Sequence, residues 1–189
     1  MLTRISWGTE VRAARIDSVD QPFADLFAGN ELYAAKEHEV AESGVARRGL
    51  AIVTCIDSRI DPLAAFGLVP GDAKILRNAG GRVTDDVLRT LALAGAALGV
   101  TRIAVVQHTD CKLTSATDEE LVAAVAEKTG ATPPPGFAPL AIGDQMATLR
   151  EDVQLVRDSP LIADSTVVAG LIYDLRSGWL TTIVEPRST

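Results

Sequence analysis

The sequence predicts an α/β fold in which a mostly parallel central sheet is flanked by helices. Short apolar runs that suit buried strands alternate with longer stretches whose apolar residues recur at helical spacing. Apolar residues make up 47% of the 189-residue chain and aromatic residues only 4%, so small aliphatic side chains dominate the expected core. About four strands are expected to be parallel, with one antiparallel strand at an edge.

Five apolar runs are the predicted strands. Each is short, rich in aliphatic or β-branched residues and bounded by turn-forming residues. The parallel strands are predicted at 50–54, 73–76, 102–107 and 167–173, and the antiparallel edge strand at 179–184.

Residues whose side chains cap helices precede the predicted helices. The helix-starting residues are Asp61, Thr84, Thr117 and Asp144. The helix after Asp61 is short, and the other three are expected to end near 98, 130 and 158. Glu120 stands three residues after Thr117, which is the pattern of a capping box.

Residues 1–48 are predicted to form an N-terminal helical arm, and residues 49–189 an α/β domain. Residues 1–21 have no clear hydrophobic period and are interpreted as a poorly ordered or loosely docked segment. Residues 23–41 carry apolar residues at helical spacing, with a candidate break between two helices at Gly29-Asn30. His38 stands among charged residues and is interpreted as a solvated histidine.

Charge and cysteine content exclude several classes of function. The net charge of −7 argues against nucleic acid or an anionic membrane as a partner. The longest apolar run, 91–100, is too short to span a bilayer, and no secretory h-region begins the sequence. Two cysteines do not make a disulfide framework, and thiols of this kind more often serve metal binding or catalysis. The protein is therefore expected to be soluble and cytoplasmic.

Residues that can bind a metal follow two of the predicted strands. Cys55 follows the first strand, and His108 and Cys111 follow the third. Because the carboxyl ends of neighbouring parallel strands meet at one edge of a sheet, these side chains are expected to lie close together. Two thiolates and one imidazole suit zinc, and three protein ligands leave one tetrahedral position open, as in catalytic sites.

Asp57 and Arg59 lie on the same predicted turn as Cys55. Arg59 can grip the Asp57 carboxylate in a two-pronged pair. Held in this way, Asp57 could accept a hydrogen bond from a zinc-bound hydroxide and orient it for attack on a small electrophilic carbon. Released, Asp57 could bind the metal as a fourth ligand and close the site. The residues alone leave both roles open.

The pattern Cys55-x-Asp57-x-Arg59 followed by His108-x-x-Cys111 resembles the signature of the β-class carbonic anhydrases. The resemblance extends over most of the chain. It implies zinc on the two cysteines and the histidine, with Asp57 and Arg59 as the catalytic dyad. It implies reversible hydration of carbon dioxide to bicarbonate. It also implies a homodimer or a higher even oligomer, in which the N-terminal helices wrap the partner subunit.

The loop Arg77-Asn78-Ala79-Gly80-Gly81 is similar to a second motif of that family. Its glycines allow close approach of the backbone. Ala79, Gly80 and Lys112 are predicted to contribute to the substrate pocket. The family usually has glycine where this sequence has Lys112, so a different or a strained local backbone is expected there. The Lys112 ammonium either points to solvent or faces the metal pocket.

Two other functions fit the same residues. A related zinc hydrolase of carbon disulfide or carbonyl sulfide would use the same nucleophile and differ in its entry channel. A non-catalytic zinc-binding module would have Asp57 permanently on the metal. A cysteine phosphatase is excluded, because Arg59 stands only four residues after Cys55, too close for the phosphate-binding loop of that chemistry.

Overall fold

The computed structural model describes residues 22–36 and 43–189. The chain divides into two units between residues 40 and 41. The helix described in the first unit is α1, Ala24–Ala34, which runs unbroken through Gly29. The expected break at Gly29-Asn30 is therefore wrong, because a helical glycine costs only about 1 kcal/mol, which the rest of a helix can offset. The predictions for residues 1–21 and for His38 lie outside the described residues.

The second unit contains one five-stranded sheet and the remaining helices. The strands are β1 (Leu50–Cys55), β2 (Ala73–Asn78), β3 (Arg102–His108), β4 (Val167–Tyr173) and β5 (Leu180–Ser188). The helices are α2 (Pro62–Ala65), α3 (Asp85–Ala97), α4 (Asp118–Thr129) and α5 (Gln145–Arg157). Short 3₁₀ turns cover Ala79–Gly81 and Lys112–Thr114. Within the described ranges, every helix falls short of the length and apolar character that a bilayer crossing demands.

The strands lie in the order β2-β1-β3-β4-β5. β1 pairs in parallel with β2 and β3, β3 pairs in parallel with β4, and β5 is antiparallel to β4 at the edge. This topology confirms the predicted α/β fold with its parallel strands and antiparallel edge strand. The register places Val53 of β1 beside Val105 of β3, so the carboxyl ends of these two strands are adjacent.

The predicted capping residues stand at the starts of the helices. The Asp61 carboxylate accepts hydrogen bonds from the amides of Leu63 and Ala64 at the start of α2. At the start of α4, the Thr117 hydroxyl accepts from the Glu120 amide, and the Glu120 carboxylate accepts from the Thr117 amide. These bonds complete the predicted capping box and satisfy amides that the first turn of a helix leaves unpaired.

Four strands, β1, β2, β3 and β5, extend beyond their predicted ends, and in β1 and β3 the extension brings candidate ligands onto the sheet. β1 includes Cys55, which pairs with Asn78, and β3 includes His108, which pairs with Tyr173. Both candidate ligands are therefore the last residues of strands rather than residues of the following turns. The edge strand β5 also runs further than predicted and includes Pro186, which an edge position tolerates because its missing donor need not face a partner.

Helices α3 and α5 cover one face of the sheet, where most of the core lies. Leu91 of α3 and Leu149 of α5 pack in one cluster with Val53 and Val105 of the central strands. All four side chains are almost fully buried. A smaller cluster on the opposite face contains Ile52, Leu68 and Val106. The larger core fixes β1 and β3, whose ends carry the candidate site.

Candidate metal centre

Cys55, His108 and Cys111 come together at the carboxyl end of the sheet. The two Sγ atoms and a ring nitrogen of the histidine all lie within 4.8 Å of one another, and all three residues are buried. The pairing of β1 with β3 brings Cys55 beside His108, and the turn after β3 returns Cys111 to them. The predicted ligands are thus assembled as a group that could hold a metal ion.

The His108 ring has one nitrogen engaged and one nitrogen unpaired. Nδ1 lies 2.8 Å from the carbonyl oxygen of Thr109. Because a carbonyl only accepts, Nδ1 carries the hydrogen and Nε2 keeps its lone pair in the neutral ring. Nε2 is buried and has no hydrogen-bond partner among the described residues. An unpaired buried acceptor is costly, and a metal ion would satisfy it, so the group fits a metal.

The closeness of the two thiols favours an ionised Cys55. The neighbouring Cys111 thiol is the largest effect in lowering the pKa of Cys55 to about 4. Burial opposes this shift, while the nearby backbone of Asp57 and Gly80 supports it. The neighbouring Cys55, followed by burial, raises the pKa of Cys111. Since thiolates are the metal-binding form, Cys55 is prepared for a metal, and Cys111 would lose its proton on metal binding.

Asp57 and Arg59 form the two-pronged pair that the sequence predicts. Nε of Arg59 donates to Oδ1 of Asp57 at 2.9 Å, and Nη2 donates to Oδ2 at 2.7 Å. These bonds, with one from the Arg59 amide, hold the pKa of the Asp57 carboxyl well below its usual range. Nη2 of Arg59 also donates to the carbonyl oxygen of Asp110 at 3.0 Å. Oδ2 of Asp57 lies 3.9 Å from Nε2 of His108, so the carboxylate stands beside the candidate ligands.

Two residues whose roles the sequence patterns do not reveal hold the backbone of this site. Arg77 donates from Nε to the carbonyl oxygen of Cys55 at 3.0 Å and from Nη2 to that of Asp57 at 2.7 Å. Gln145, at the start of α5, donates from Nε2 to the carbonyl oxygen of His108 at 2.9 Å. The role of Arg77 could have been predicted from its position near the end of β2, the strand that pairs with β1. Gln145 has no comparable signal.

The glycine-rich loop lies directly against the end of β1. Gly80 and Gly81 have φ angles of +77° and +64°, which favour glycine. A Cβ on Gly81 would lie 2.9 Å from the carbonyl carbon of Thr54 and 3.0 Å from the amide nitrogen of Cys55. The predicted close approach of this loop is confirmed. The contribution of Ala79 and Gly80 to a substrate pocket stays a prediction.

Lys112 follows Cys111 with an ordinary backbone. It begins the 3₁₀ turn Lys112–Thr114, and the non-glycine residues with positive φ among those described are Asp110 and Leu140. Of the two expectations for Lys112, a different local backbone or a strained one, the structure shows the first. Lys112 adopts a helical backbone without a positive φ. Lys112 is exposed, as expected for a side chain that points to solvent. Its part in a substrate pocket stays a prediction.

The fold and the site together define an α/β protein with a buried cysteine–histidine–cysteine centre beside an arginine-held carboxylate. A family model described as carbonic anhydrase matches residues 50–133. β-Carbonic anhydrase 1 of Mycobacterium tuberculosis is 33% identical over 134 residues, which cover 71% of this chain and 81% of that protein. The crystal structure of a carbonic anhydrase from Streptococcus mutans is 35% identical, with a TM-score of 0.80, covering 85% of this chain and 96% of that one.

A carbon disulfide hydrolase from an Acidianus species is also similar to this chain. It is 31% identical over 155 residues, which cover 69% of this chain and 74% of that protein. The chain belongs to the β-carbonic anhydrase family. Carbon disulfide hydrolases are related members of the same family.

Replacing Gly81 with alanine is expected to destabilise the site and the fold. The new Cβ would meet the backbone of Thr54 and Cys55, and the positive φ would be strained. We expect a loss of about 1–3 kcal/mol in the free energy of unfolding, measured by urea denaturation. Gly143→Ala is the matched control, because a Cβ there would have no heavy atom within 4 Å. Equal stabilities of the two variants would show that the close approach is not needed.

Proposed function

We propose that this chain is a zinc-dependent carbonic anhydrase that catalyses the reversible hydration of carbon dioxide to bicarbonate. The observation that carries this proposal is the convergence of three metal-binding side chains, within 4.8 Å of one another, beside the Arg59-held carboxylate of Asp57. Membership of the β-carbonic anhydrase family supports the same reaction.

Zinc is the metal that suits the donor set of Cys55, His108 and Cys111 best. Two sulfur ligands and one imidazole match the borderline-soft character of this ion. Bound there, zinc would supply a Lewis acid that makes a water molecule acidic enough to serve as a nucleophile near neutral pH. The free lone pair on Nε2 of His108 and the ionised Cys55 are the features of the chain that support its binding.

Asp57 and Arg59 act on the nucleophile in this proposal. Asp57 accepts a hydrogen bond from the attacking oxygen and so directs a lone pair of that oxygen at the carbon of carbon dioxide. Water gives up one proton to solvent to become the nucleophile. As its oxygen bonds to carbon, one carbon–oxygen π pair moves onto oxygen, and the proton kept on the attacking oxygen stays in the bicarbonate product. Arg59 bonds both carboxylate oxygens and keeps Asp57 from closing the site as a fourth ligand.

Hydrolysis of carbon disulfide is the second candidate function. The similarity to the Acidianus hydrolase supports it, and the same residues would serve attack on the carbon of carbon disulfide. The difference would lie in access to the site, where Ala79, Gly80 and Lys112 are the proposed pocket residues. A cytoplasmic location stays a prediction that is supported by the free thiols of Cys55 and Cys111.

The purified protein is expected to hold about one zinc per chain and to hydrate carbon dioxide in a stopped-flow assay. Cys55→Ser, His108→Ala and Cys111→Ser should each lower the zinc content, because each removes one ligand. His38→Ala, a change of the other histidine in the sequence, is the control and should keep the metal. Full zinc retention in all three variants would show that Cys55, His108 and Cys111 are not the zinc ligands. A higher kcat/KM for carbon disulfide than for carbon dioxide would select the second function.

Asp57→Ala and Arg59→Ala are expected to keep zinc and to lose activity. The loss should be on the order of 10²-fold in kcat, as for other residues that assist proton placement. Asp86→Ala and Arg89→Ala are matched controls, since this exposed pair has a similar bond of 2.8 Å on α3. Wild-type rates in both site variants would contradict the proposed role of the dyad.

We also propose that the arm assembles the protein into a homodimer or a higher even oligomer. Leu26 and Phe27 of α1 are 62% and 70% exposed, and apolar surface of this kind favours burial against another subunit. Leu26→Glu combined with Phe27→Glu, or deletion of residues 1–42, should give monomers or aggregates in light scattering. Ala28→Glu, on the opposite side of the same helix, is the control. An even oligomer that persists after the deletion would contradict this assembly.

A further inference from the structure

A buried carboxylate connects three elements next to the metal centre. Asp152 of α5 has no exposed surface. Its Oδ2 accepts hydrogen bonds from Nε of Arg82 at 2.8 Å and from Nε2 of Gln107 at 3.3 Å. Arg82 lies at the end of the glycine-rich loop, and Gln107 lies in β3. One carboxylate therefore joins α5, β3 and this loop.

Arg82 closes the loop that touches Cys55. Its amide donates to Oδ1 of Asn78 at 2.8 Å, and its carbonyl accepts from Nδ2 of Asn78 at 2.8 Å. Between these residues, Gly81 lies so close to the end of β1 that a Cβ on it would be 3.0 Å from the amide nitrogen of Cys55. Since Arg82 fixes one end of so short a loop, the bond from Arg82 to Asp152 also fixes how the loop packs against Cys55.

Gln107 provides the second connection. It directly precedes His108 at the end of β3, and its side chain is fully buried. Successive residues of a strand point to opposite faces, so holding the Gln107 side chain also fixes the rotation of the strand end. The direction of the His108 ring therefore depends in part on the bond between Gln107 and Asp152.

A contribution to the stability of the fold does not by itself explain the network of Asp152, Arg82 and Gln107. Burial raises the pKa of Asp152 against the opposing effect of Arg82. Among the described residues, Oδ1 of Asp152 and Oε1 of Gln107 have no hydrogen-bond partner, which destabilises a fold. Well-packed apolar residues often stabilise a core as well as a buried ion pair does, or better.

We propose that Asp152 is a positioning residue for the metal centre, acting through Arg82 on the loop that packs against Cys55 and through Gln107 on His108. The inference rests on the proposed zinc site, and Asp152 touches neither metal nor substrate in this role. Removal of its charge releases Arg82 and weakens the support of Cys55. The affinity for zinc should then fall about 10- to 100-fold, the usual effect of losing a group that supports metal ligands.

The test compares the zinc affinity of full-length variants by competition with a chromophoric chelator. Asp152→Asn removes the charge and keeps the shape. The double variant Asp152→Leu with Arg82→Leu removes both charges, so that no unpaired ion is buried. Asp158→Asn is the control, since Asp158 is an exposed carboxylate at the end of the same helix. Thermal unfolding and the thiolate-to-cobalt absorption of cobalt-loaded protein are recorded in parallel.

The expected result is that both Asp152 variants bind zinc at least tenfold more weakly than the wild-type protein. Their cobalt absorption should also change, and the control variant should bind zinc as the wild type does. Unchanged zinc affinity in a double variant with a near-native Tm would overturn the proposal, because Asp152 would then be structural only. If the double variant does not fold, unchanged affinity in Asp152→Asn overturns it equally. Failure of the wild-type protein to bind zinc would instead refute the proposed function.

Discussion

The parallel pairing of β1 with β3 is the constraint on which the rest of the structure depends. Its register places Val53 beside Val105, both fully buried in the larger core. A slip of one residue would turn every side chain of β1 to the opposite face of the sheet and would expose this apolar surface. The packing that stabilises the fold therefore also sets the distance between Cys55 and His108 at the ends of these strands.

Side chains from a neighbouring strand and from a helix complete this constraint at the site. Arg77 bonds the carbonyls of Cys55 and Asp57, and Gln145 bonds the carbonyl of His108. These donors come from β2 and α5, so the backbone that carries the candidate ligands is fixed from two sides. Ligand atoms held in this way lose little further freedom when they bind a metal, which favours binding.

The strands, the helix caps and the candidate ligands could be predicted from the sequence, because each depends on residues that are close together in the chain. A capping box needs only Thr117 and Glu120, and the strand runs before Cys55 and His108 predict where the two residues meet. The bonds from Arg82 to Asp152 and from Gln145 to His108 join positions 70 and 37 residues apart. Such contacts follow from how helices pack on the sheet, and no period or spacing in the sequence encodes them.

The turn that carries Cys111 also determines how firmly Asp57 is held. Asp110 adopts a φ of +56°, which aspartate tolerates better than most residues, and its carbonyl accepts a bond from Nη2 of Arg59. Arg59 is 54% exposed, so its bonds to Asp57 alone would compete with water. The Asp110 carbonyl fixes the guanidinium at a second point, and releasing Asp57 then requires the turn before Cys111 to move. The position of a candidate metal ligand and the orientation of the carboxylate are therefore coupled through one short turn.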